Sequence, residues 1–424
     1  MHNATGRSRR VGVLAGFGLA LLTGCGDQAN VGYTEANCQG DKIHCGELPK
    51  YTSLSQSSQP VEITPGPLPT LMPTWETVNG GSDGQMVAGV GGTFWSATAV
   101  LGLTGIRLWQ LNADGGVLGT QDILPPADLK CVQQDIPVFS LNQGDPGPTL
   151  VVGWSVHCPG GIYDTQAEVI DFGSSVSEPV TRADLDVTGN TVPPVLARKA
   201  QSNEHAVLPL FPKGWAPTRI DAAGDIVWQQ SSIAREFYDR ELEFGNFTYA
   251  SLFWGVDGSL VVIGELPQDQ GSVTPSMVVL DWETGSVQSR TAVPGLLLDG
   301  SATFALDSEG RTVVAGSTYS GDISWSRSQG AALDERTIIR EGYTYLAVQS
   351  LIADSVGGTY LVTASGDRNA AVQTLCYMND AMAISCALVP EARNFVVSDI
   401  PGVLYAQAWD QQTGTRLARF DFPI

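Results

Sequence analysis

An all-β chain built from one small sheet repeated many times is what the sequence predicts, on three observations. First, a turn containing Asp, Asn or Gly leads again and again into a short β-rich run. The runs are QMVAGV from 85, TLVVGWS from 149, HAVLPLF from 205, SLVVIGE from 259, RTVVAGS from 311 and TYLVTAS from 359, with starts 64, 56, 54, 52 and 48 residues apart. Second, each run has a downstream partner that reads strand, turn, strand: LWQLNADGGVLGT, AEVIDFGSSVSEPV, TRIDAAGDIVWQ, VVLDWETGSVQSR, ISWSRSQGAALDER and VQTLCYMNDAMAISC. A seventh such hairpin, LYAQAWDQQTGTRLARF, closes the chain. Third, no long amphipathic helix interrupts the pattern. A period near 50 residues with about four strands per unit describes a β-propeller. Seven hairpins indicate seven blades. Six is the alternative, because the last unit is short and lacks a partner run; the segment from Trp75 is expected to supply the missing strand. Tandem sandwiches are the competing all-β array.

From the N terminus, MHNATGRSRR carries Arg7, Arg9 and Arg10 and no acid, and Val11 to Gly24 is uncharged and apolar or small. A bilayer-spanning helix needs about 20 apolar residues, so this run is too short. A basic head, a short apolar stretch and small residues describe a secretory signal peptide over 1–24. Residues 25–74 read as a spacer, because QSSQPVEITPGPLPTLMPT holds Pro60, Pro65, Pro67, Pro69 and Pro73, which favour extended geometry and remove backbone donors. Residues 75–424 are then one propeller domain, long enough to bury about three quarters of its unfolded surface.

Removing the leader takes away three arginines and no acid, which leaves 20 basic against 44 acidic residues, a net charge of −24. That charge opposes nucleic-acid binding, which relies on cationic contacts to phosphate, and opposes docking on anionic headgroups. Cations, basic peptides and neutral ligands remain compatible. Beyond Cys25 there are six cysteines, an even number that suggests disulfides in an exported chain. They cluster in twos, so the expected pairs are Cys38–Cys45, Cys131–Cys158 and Cys376–Cys386. Metal ligation is the alternative, since His44 adjoins Cys45 and His157 adjoins Cys158. No CxxC spacing supports it, and no metal or other cofactor is expected.

Motifs for catalysis are weak. Gly80 to Gly84 matches G-x-S-x-G, which needs a preceding strand and a following helix, whereas a strand-like run follows here. VAGVGGTF has Phe94 where a dinucleotide loop needs its third glycine. NADGG and DAAGD contain oxygen ligands without the spacing of a calcium loop, and hairpin turns account for both. His157 and His205 lie in apolar strands and read as core residues. REFYDRELEFGNFTY, Arg235 to Tyr249, departs most from the repeat. It reads as an inter-blade connection with core aromatics, or as an interaction loop anchored by Phe237, Tyr238 and Tyr249.

Three stretches carry family resemblances. Leu22-Thr23-Gly24-Cys25 resembles the lipobox of bacterial lipoproteins, which implies cleavage before an acylated Cys25. Several acyl chains, at about 0.8 kcal/mol per buried methylene, would hold such a protein to a membrane. Gly26 stands where that family uses Asp for inner-membrane retention, so the resemblance implies outer-membrane sorting. DSEGRTVVAGSTYSGD, from Asp307, resembles the D-x-x-G-x-x-x-V-x-G-x-T repeat of extracellular propeller proteins. DSVGGTYLVTASGD, from Asp354, is a weaker copy, and TRIDAAGDIVWQ, from Thr218, is similar to that repeat's hairpin. Asp281 to Gly285 and Asp410 to Gly414 resemble the D-x-x-T-G turn of pyrroloquinoline-quinone-type propeller repeats, without that family's Trp four residues beyond the Gly.

These readings describe a lipid-anchored envelope propeller, outer-membrane sorted, that binds a protein or glycan partner or serves as a scaffold and has no assigned catalytic residue. The rivals are a glycan-active hydrolase or lyase with carboxylates at the axial mouth, and an outer-membrane assembly factor.

Overall fold

The structure is a computed structural model. It describes the chain from Lys42 to Ile424 except residues 45, 57–60, 64–67, 80–81, 101–104, 128–131, 134–136, 145, 159–161, 178, 186–194, 200–201, 209–215, 234–249, 268–272, 293–302, 318–321, 330–331, 339–345, 366–372, 391 and 411–413. The leader, Cys25, Cys38, Cys45, Cys131, the side chain of Cys158 and the stretch with Phe237, Tyr238 and Tyr249 lie outside the described residues. Among those described, no helix is long and apolar enough to cross a membrane.

Seven antiparallel sheets make a seven-bladed β-propeller. Blade 1 spans 82–123, blade 2 132–185, blade 3 195–230, blade 4 250–292, blade 5 303–338 and blade 6 346–389. Blade 7 takes three strands from 393–421, and Trp75–Asn79 is its outermost strand, paired antiparallel from Thr415↔Asn79 to Arg419↔Trp75. The ring closes as expected, by joining the two ends of the domain in one sheet. One irregularity of the repeat is also explained. QMVAGV belongs to the innermost strand of blade 1, Ser82–Ala88, whereas the other five runs belong to second strands. The first interval therefore reads long.

Alternation along a strand sends successive side chains to opposite faces. In blade 2, Leu150, Val152 and Trp154 pack with Trp95 and Leu108 of blade 1, while Val151 between them packs with Leu196 and Val207 of blade 3. Blade 5 repeats this. Val313 and Ala315 meet Leu361 and Met378 of blade 6, and Val314 meets Val261 and Ile263 of blade 4. A strand buried on both faces reads as a continuous apolar run, which is what the sequence shows. Further clusters fill the seams of blades 3 and 4, 6 and 7, and 7 and 1. At the last of these, Phe94 stacks on Tyr405 with ring centroids 4.2 Å apart.

The stretch expected to be a free spacer differs in its described part. From residue 42 it runs around the circumference as a belt. Ile43–His44 adds parallel to the outer strand of blade 3, Thr52–Ser53 to blade 4, and Ser55–Gln56 and Val61–Ile63 to blade 5. Thr70 bridges Leu388 of blade 6, and the chain then enters blade 7. Among the described prolines, Pro49 and Pro69 are tolerated because an outermost strand has one unpaired edge. Apolar side chains of the belt plug the seams. Leu48 and Tyr51 pack between blades 3 and 4, Leu54 between 4 and 5, and Leu71 between 6 and 7. Arg290 lies over the Tyr51 ring, 3.7 Å from its centroid.

Cys376 and Cys386 face each other on the third and fourth strands of blade 6 and form a disulfide. Closing a loop of about ten residues should contribute about 2–3 kcal/mol through unfolded-state entropy. A Cys376→Ala/Cys386→Ala variant should lose that much in urea unfolding relative to the oxidised parent, and the same as the reduced parent within error. Truncating the buried Leu54 to Ala should cost about 2–4 kcal/mol. Met72→Ala, on the same belt but 64% exposed, should leave the urea midpoint unchanged.

Candidate functional site

The two ends of the propeller differ. At one end the first strand of each blade turns into the second, and the third into the fourth, mostly through short described turns. At the other end nearly all connections lie outside the described residues. The stretch from Arg235 to Tyr249, between the last strand of blade 3 and the first of blade 4 in sequence, lies outside the described residues.

The turns of the described end share one chemistry. Asn112, Asp221, Asp307 and Asp354 each accept two backbone N–H donors with Oδ1, from the residues two and four positions on, at 2.7–3.0 Å. The third position on is Gly115, Gly224, Gly310 or Gly357, with φ between 76° and 89°, a region that costs other residues backbone strain. The oxygens of NADGG and DAAGD thus hold their turns, as expected. In the D-x-x-T-G turn, Asp281 Oδ1 accepts the N–H and the hydroxyl of Thr284, both at 2.7 Å. The Trp228 indole of blade 3 lies against Gly285, leaving no room for a Cβ, and donates Nε1–H to the Trp282 carbonyl at 2.7 Å. That Trp, carried by the preceding hairpin, fills the space beside the turn. Ser82 opens a strand, so Gly80 to Gly84 forms no nucleophile elbow at that serine.

Beneath the turns, arginines reach from one blade into the next. Arg198 donates to Gly147 O and Phe172 O of blade 2, Arg219 to Trp282 O of blade 4, Arg327 to Asn379 O and Asp380 O of blade 6, and Arg419 to Ala113 O of blade 1. Arg219 also lies over the Trp282 ring at 4.6 Å. Carboxylates lie beside Arg219 and beside Arg311, the neighbour of Arg327, while Arg219 Nε and Arg327 Nε and Nη2 make no hydrogen bond among the described residues. Glu283 and Glu204 meet Arg219 at 3.0 and 3.1 Å, while Asp307 and Asp380 meet Arg311 at 2.7 and 2.6 Å. The bonds from Arg219 to Glu283 and from Arg311 to Asp380 hold both carboxyls below the usual carboxylate range. Burial is the largest influence on Arg327 and, with the neighbouring Arg311, pulls its pKa down. Burial likewise pushes the Tyr377 phenol up to about 12; its hydroxyl donates to Asp354.

Asp171 is the most enclosed carboxylate of this layer. Thr149, Thr181 and His205 Nε2 lie 2.6, 2.8 and 2.9 Å from its oxygens, and Arg198 Nε lies at 3.7 Å. Burial alone would raise its pKa, but the bonds from His205 and Thr149 and the Arg198 charge outweigh burial and lower it. His205 is therefore a core residue bridging blades 2 and 3, as its apolar strand implies. The side chain of His157 lies outside the described residues.

What the turns present outward is different. Those that follow the innermost strands encircle the axis, and four carry exposed aliphatic tips: Val256 (73%), Val90 (66%), Val356 (52%) and Ile400 (41%). Val256 lies beside Gly310 of the next blade and Ile400 beside Gly92, and the Asp399 carboxylate accepts the Gly91 and Gly92 N–H groups, so the four tips stand on the mouth-side turns of blades 4, 6, 7 and 1. Asp257, Glu309, Asp399, Asp114, Glu283 and Asp380 stand exposed around them, while the side chains of Arg219, Arg311 and Arg327 are 9%, 13% and 0% exposed. The described surface sets four apolar tips among exposed carboxylates, with Lys199 beside Glu283. The innermost strands of the seven blades contain one acidic residue, Asp83, and no histidine. No group of three or more His, Cys, Asp or Glu residues placed to hold a metal occurs among the described residues.

The fold defines the class, a seven-bladed β-propeller. No family model and no curated protein matches the chain. Solved structures similar to it include a PL25 ulvan lyase, a polysaccharide lyase bound to -[GlcA(1-4)Rha3S]-, at 10% identity and a TM-score of 0.49, covering 82% of this chain and 96% of that one. The β-propeller domain of the Trilobed protease from Pyrococcus furiosus is 11% identical with a TM-score of 0.46, over the same shares. The polysaccharide lyase Uly1 is 9% identical with a TM-score of 0.48, over 82% and 91%. At such identities the likeness is one of architecture and carries no substrate.

Replacing Asp171 with Ala leaves His205 and Arg198 buried without their partner, and should cost about 3–5 kcal/mol. Because the folded-state pKa lies below the ordinary value of 3.8, the Asp171 contribution is complete above that value and vanishes as pH falls through the folded one. The gap in urea stability between parent and Asp171→Ala should therefore narrow below about pH 4.

Proposed function

We propose that this chain is a lipid-anchored propeller of the cell envelope whose turn-bearing face docks a protein partner, making it a binding or scaffold module. The observation that carries the reading is the set of exposed tips Val90, Val256, Val356 and Ile400 on one end, among exposed carboxylates of which Glu283, Glu309 and Asp380 pair with arginines beneath them. Exposed aliphatic residues gathered at one place mark interaction surfaces, and the charge pattern favours a partner with an apolar centre and a basic rim. None of the large exposed apolar residues described is aromatic, and sugar rings stack on aromatic faces. On this face a protein fits better than a glycan. The innermost strands supply little for acid–base chemistry at the axis, which favours binding over the glycan-active enzyme.

The anchor half rests on Leu22 to Cys25. Cells given a radioactive fatty acid should label the parent and not Cys25→Ser, and the variant should leave the membrane fraction; equal labelling defeats the anchor.

For the docking half, a photo-crosslinking amino acid at Val256 should yield a discrete adduct in irradiated envelopes, and the same group at Val117, on the outer edge of blade 1, should not. The adduct should disappear when Val90 and Val356 are both changed to Asp. Turnover of a glycan by the purified propeller, abolished by changing one carboxylate, would sink the docking reading in favour of the enzyme.

A further inference from the structure

The innermost strands line the axis, and one level of that lining is polar in blade after blade. In blades 1, 4, 5, 6 and 7 the turn after the innermost strand begins at Gly89, Gly255, Asp307, Asp354 and Ser398, each donating its N–H across the turn. Four residues before those positions stand Gln85, Ser251, Thr303, Ser350 and Asn394. All five are half-buried or exposed, the residue after each is buried, and none of the five is charged. Two residues nearer the turns, Phe253, Ile352 and Val396 are half-buried. The axis thus carries a neutral polar level towards the mouth opposite the turns, with an apolar level further in.

Three consecutive blades are distorted at that level. The first strand pairs with the second without a shift in blades 2, 3, 4 and 5. In blades 6, 7 and 1 the register shifts between Val348 and Ser350, between Arg393 and Val396, and between Ser82 and Gly84. Such bulges re-aim side chains and gather beside functional sites. Asn394, inside the second of them, has a φ of 52°, which strains a residue other than glycine. The other described case, Met382, closes a hairpin turn that needs it; a strand does not.

Buried amides hold two side chains of this level. Asn394 spends both Nδ2 hydrogens, on Gly84 O and on Gln407 Oε1, which leaves Oδ1 as an acceptor. Gly84 permits the approach, because a Cβ there would lie 2.5 Å from Gln407 Nε2. Gln349, exposed in the blade 6 bulge, accepts with Oε1 from Gln373 Nε2 at 2.7 Å, which leaves its own Nε2 as a donor. Gln373 is fixed in turn by the N–H and the carbonyl of Ala392, both at 2.6 Å, two residues before Asn394. Gln407 and Gln373 are 4% and 1% exposed. Gln85 takes no part, since both ends of its amide hold the inner strand of blade 2. Arg393, also exposed, has a partner of its own.

We propose that the axial mouth opposite the turns binds an extended, uncharged peptide segment. Asn394 Oδ1 accepts from a backbone N–H of that segment and Gln349 Nε2 donates to a backbone C=O, while an apolar side chain reaches inward to Phe253, Ile352 and Val396. A fixed neutral acceptor and a fixed neutral donor on adjacent blades complement a peptide group and give no counter-charge to an ion. The site lies at the opposite end from Val90, Val256, Val356 and Ile400, and it does not rest on the docking reading.

The test selects from a displayed library of random nonapeptides on the soluble chain that begins at residue 25 with Cys25→Ser. Peptides with an uncharged centre should be enriched, and one of them, labelled with a fluorophore, is the probe for affinity. Gln349→Glu keeps the oxygen that Gln373 donates to and replaces the free donor with an acceptor. It should bind the probe about tenfold more weakly with the urea midpoint of the parent. Asn394→Gly, which suits the backbone φ, should weaken binding as much. Val90→Asp/Val356→Asp should bind as the parent does, so this outcome stands apart from that of the docking experiment. No enrichment, parental affinity in Gln349→Glu and Asn394→Gly, or loss of binding in Val90→Asp/Val356→Asp overturns the proposal. Displacement of the probe by a neutral oligosaccharide overturns it in favour of a glycan.

Discussion

Everything in this fold depends on a sheet with two apolar faces. A blade such as Thr149–Leu185 carries Leu150, Val152 and Trp154 on one face and Val151, Ala167 and Val169 on the other, and no single neighbour can cover both. Two neighbours can, and each neighbour then needs another, so the stack ends only when it meets itself. Closure is thus a requirement of burial, and the seven clusters, one in each seam, are its result. The last seam is secured by sequence-distant strands: Trp75–Asn79 completes a sheet whose other strands end the chain. Unfolding blade 7 therefore releases both ends of the domain together, which makes the ring cooperative.

Polar groups are arranged around that constraint. The seams open at the turn-bearing end, where backbone carbonyls of the turns lack strand partners and need donors. Arginines from neighbouring blades supply them, as Arg327 does for Asn379 and Asp380 and Arg419 for Ala113. Acidic residues hold the arginines and cap the turns, so many carboxylates of this acidic chain are structural. Their surplus faces water. One layer of ion pairs thereby locks the blades and leaves exposed carboxylates in excess of the part-exposed Lys199 around the Val and Ile tips, and such a surplus steers partners by charge before contact.

The fold was legible because its signals are local. Second strands buried on both faces give apolar runs such as TVVA and LVVI, and Asp-x-x-Gly turns announce themselves by the glycine that a positive φ demands. The strand at Trp75 was legible from the shortage of strands in the last unit. The apolar tips were not. Val90, Val256, Val356 and Ile400 are single aliphatic residues in polar turns, and nothing in their own neighbourhood shows that four turns share one end of the propeller. The arginine layer was hidden for the same reason: Arg219 and Trp282 are 63 residues apart, and a charge that bridges blades looks in sequence like any surface charge.

The belt hid for a different reason. Its prolines are a sound signal of extended chain, and the inference from extended to free is where the reading went astray. An extended strand on an outer edge needs only alternate backbone bonds, so Pro49 and Pro69, whose carbonyls accept from Arg290 and Leu388, bind as well as any residue. Composition cannot separate a solvated extended chain from a docked one. Only a matching surface can, and here that surface is the ring, whose outer edges the described belt meets at blades 3, 4, 5 and 6 in turn. The mechanical consequence is specific. A pull on Lys42 is delivered to the outer strand of blade 3 through Lys42, Ile43 and Ser232, and is shared among successive blades along the described part of the belt. The turn-bearing end of the ring lies off that path.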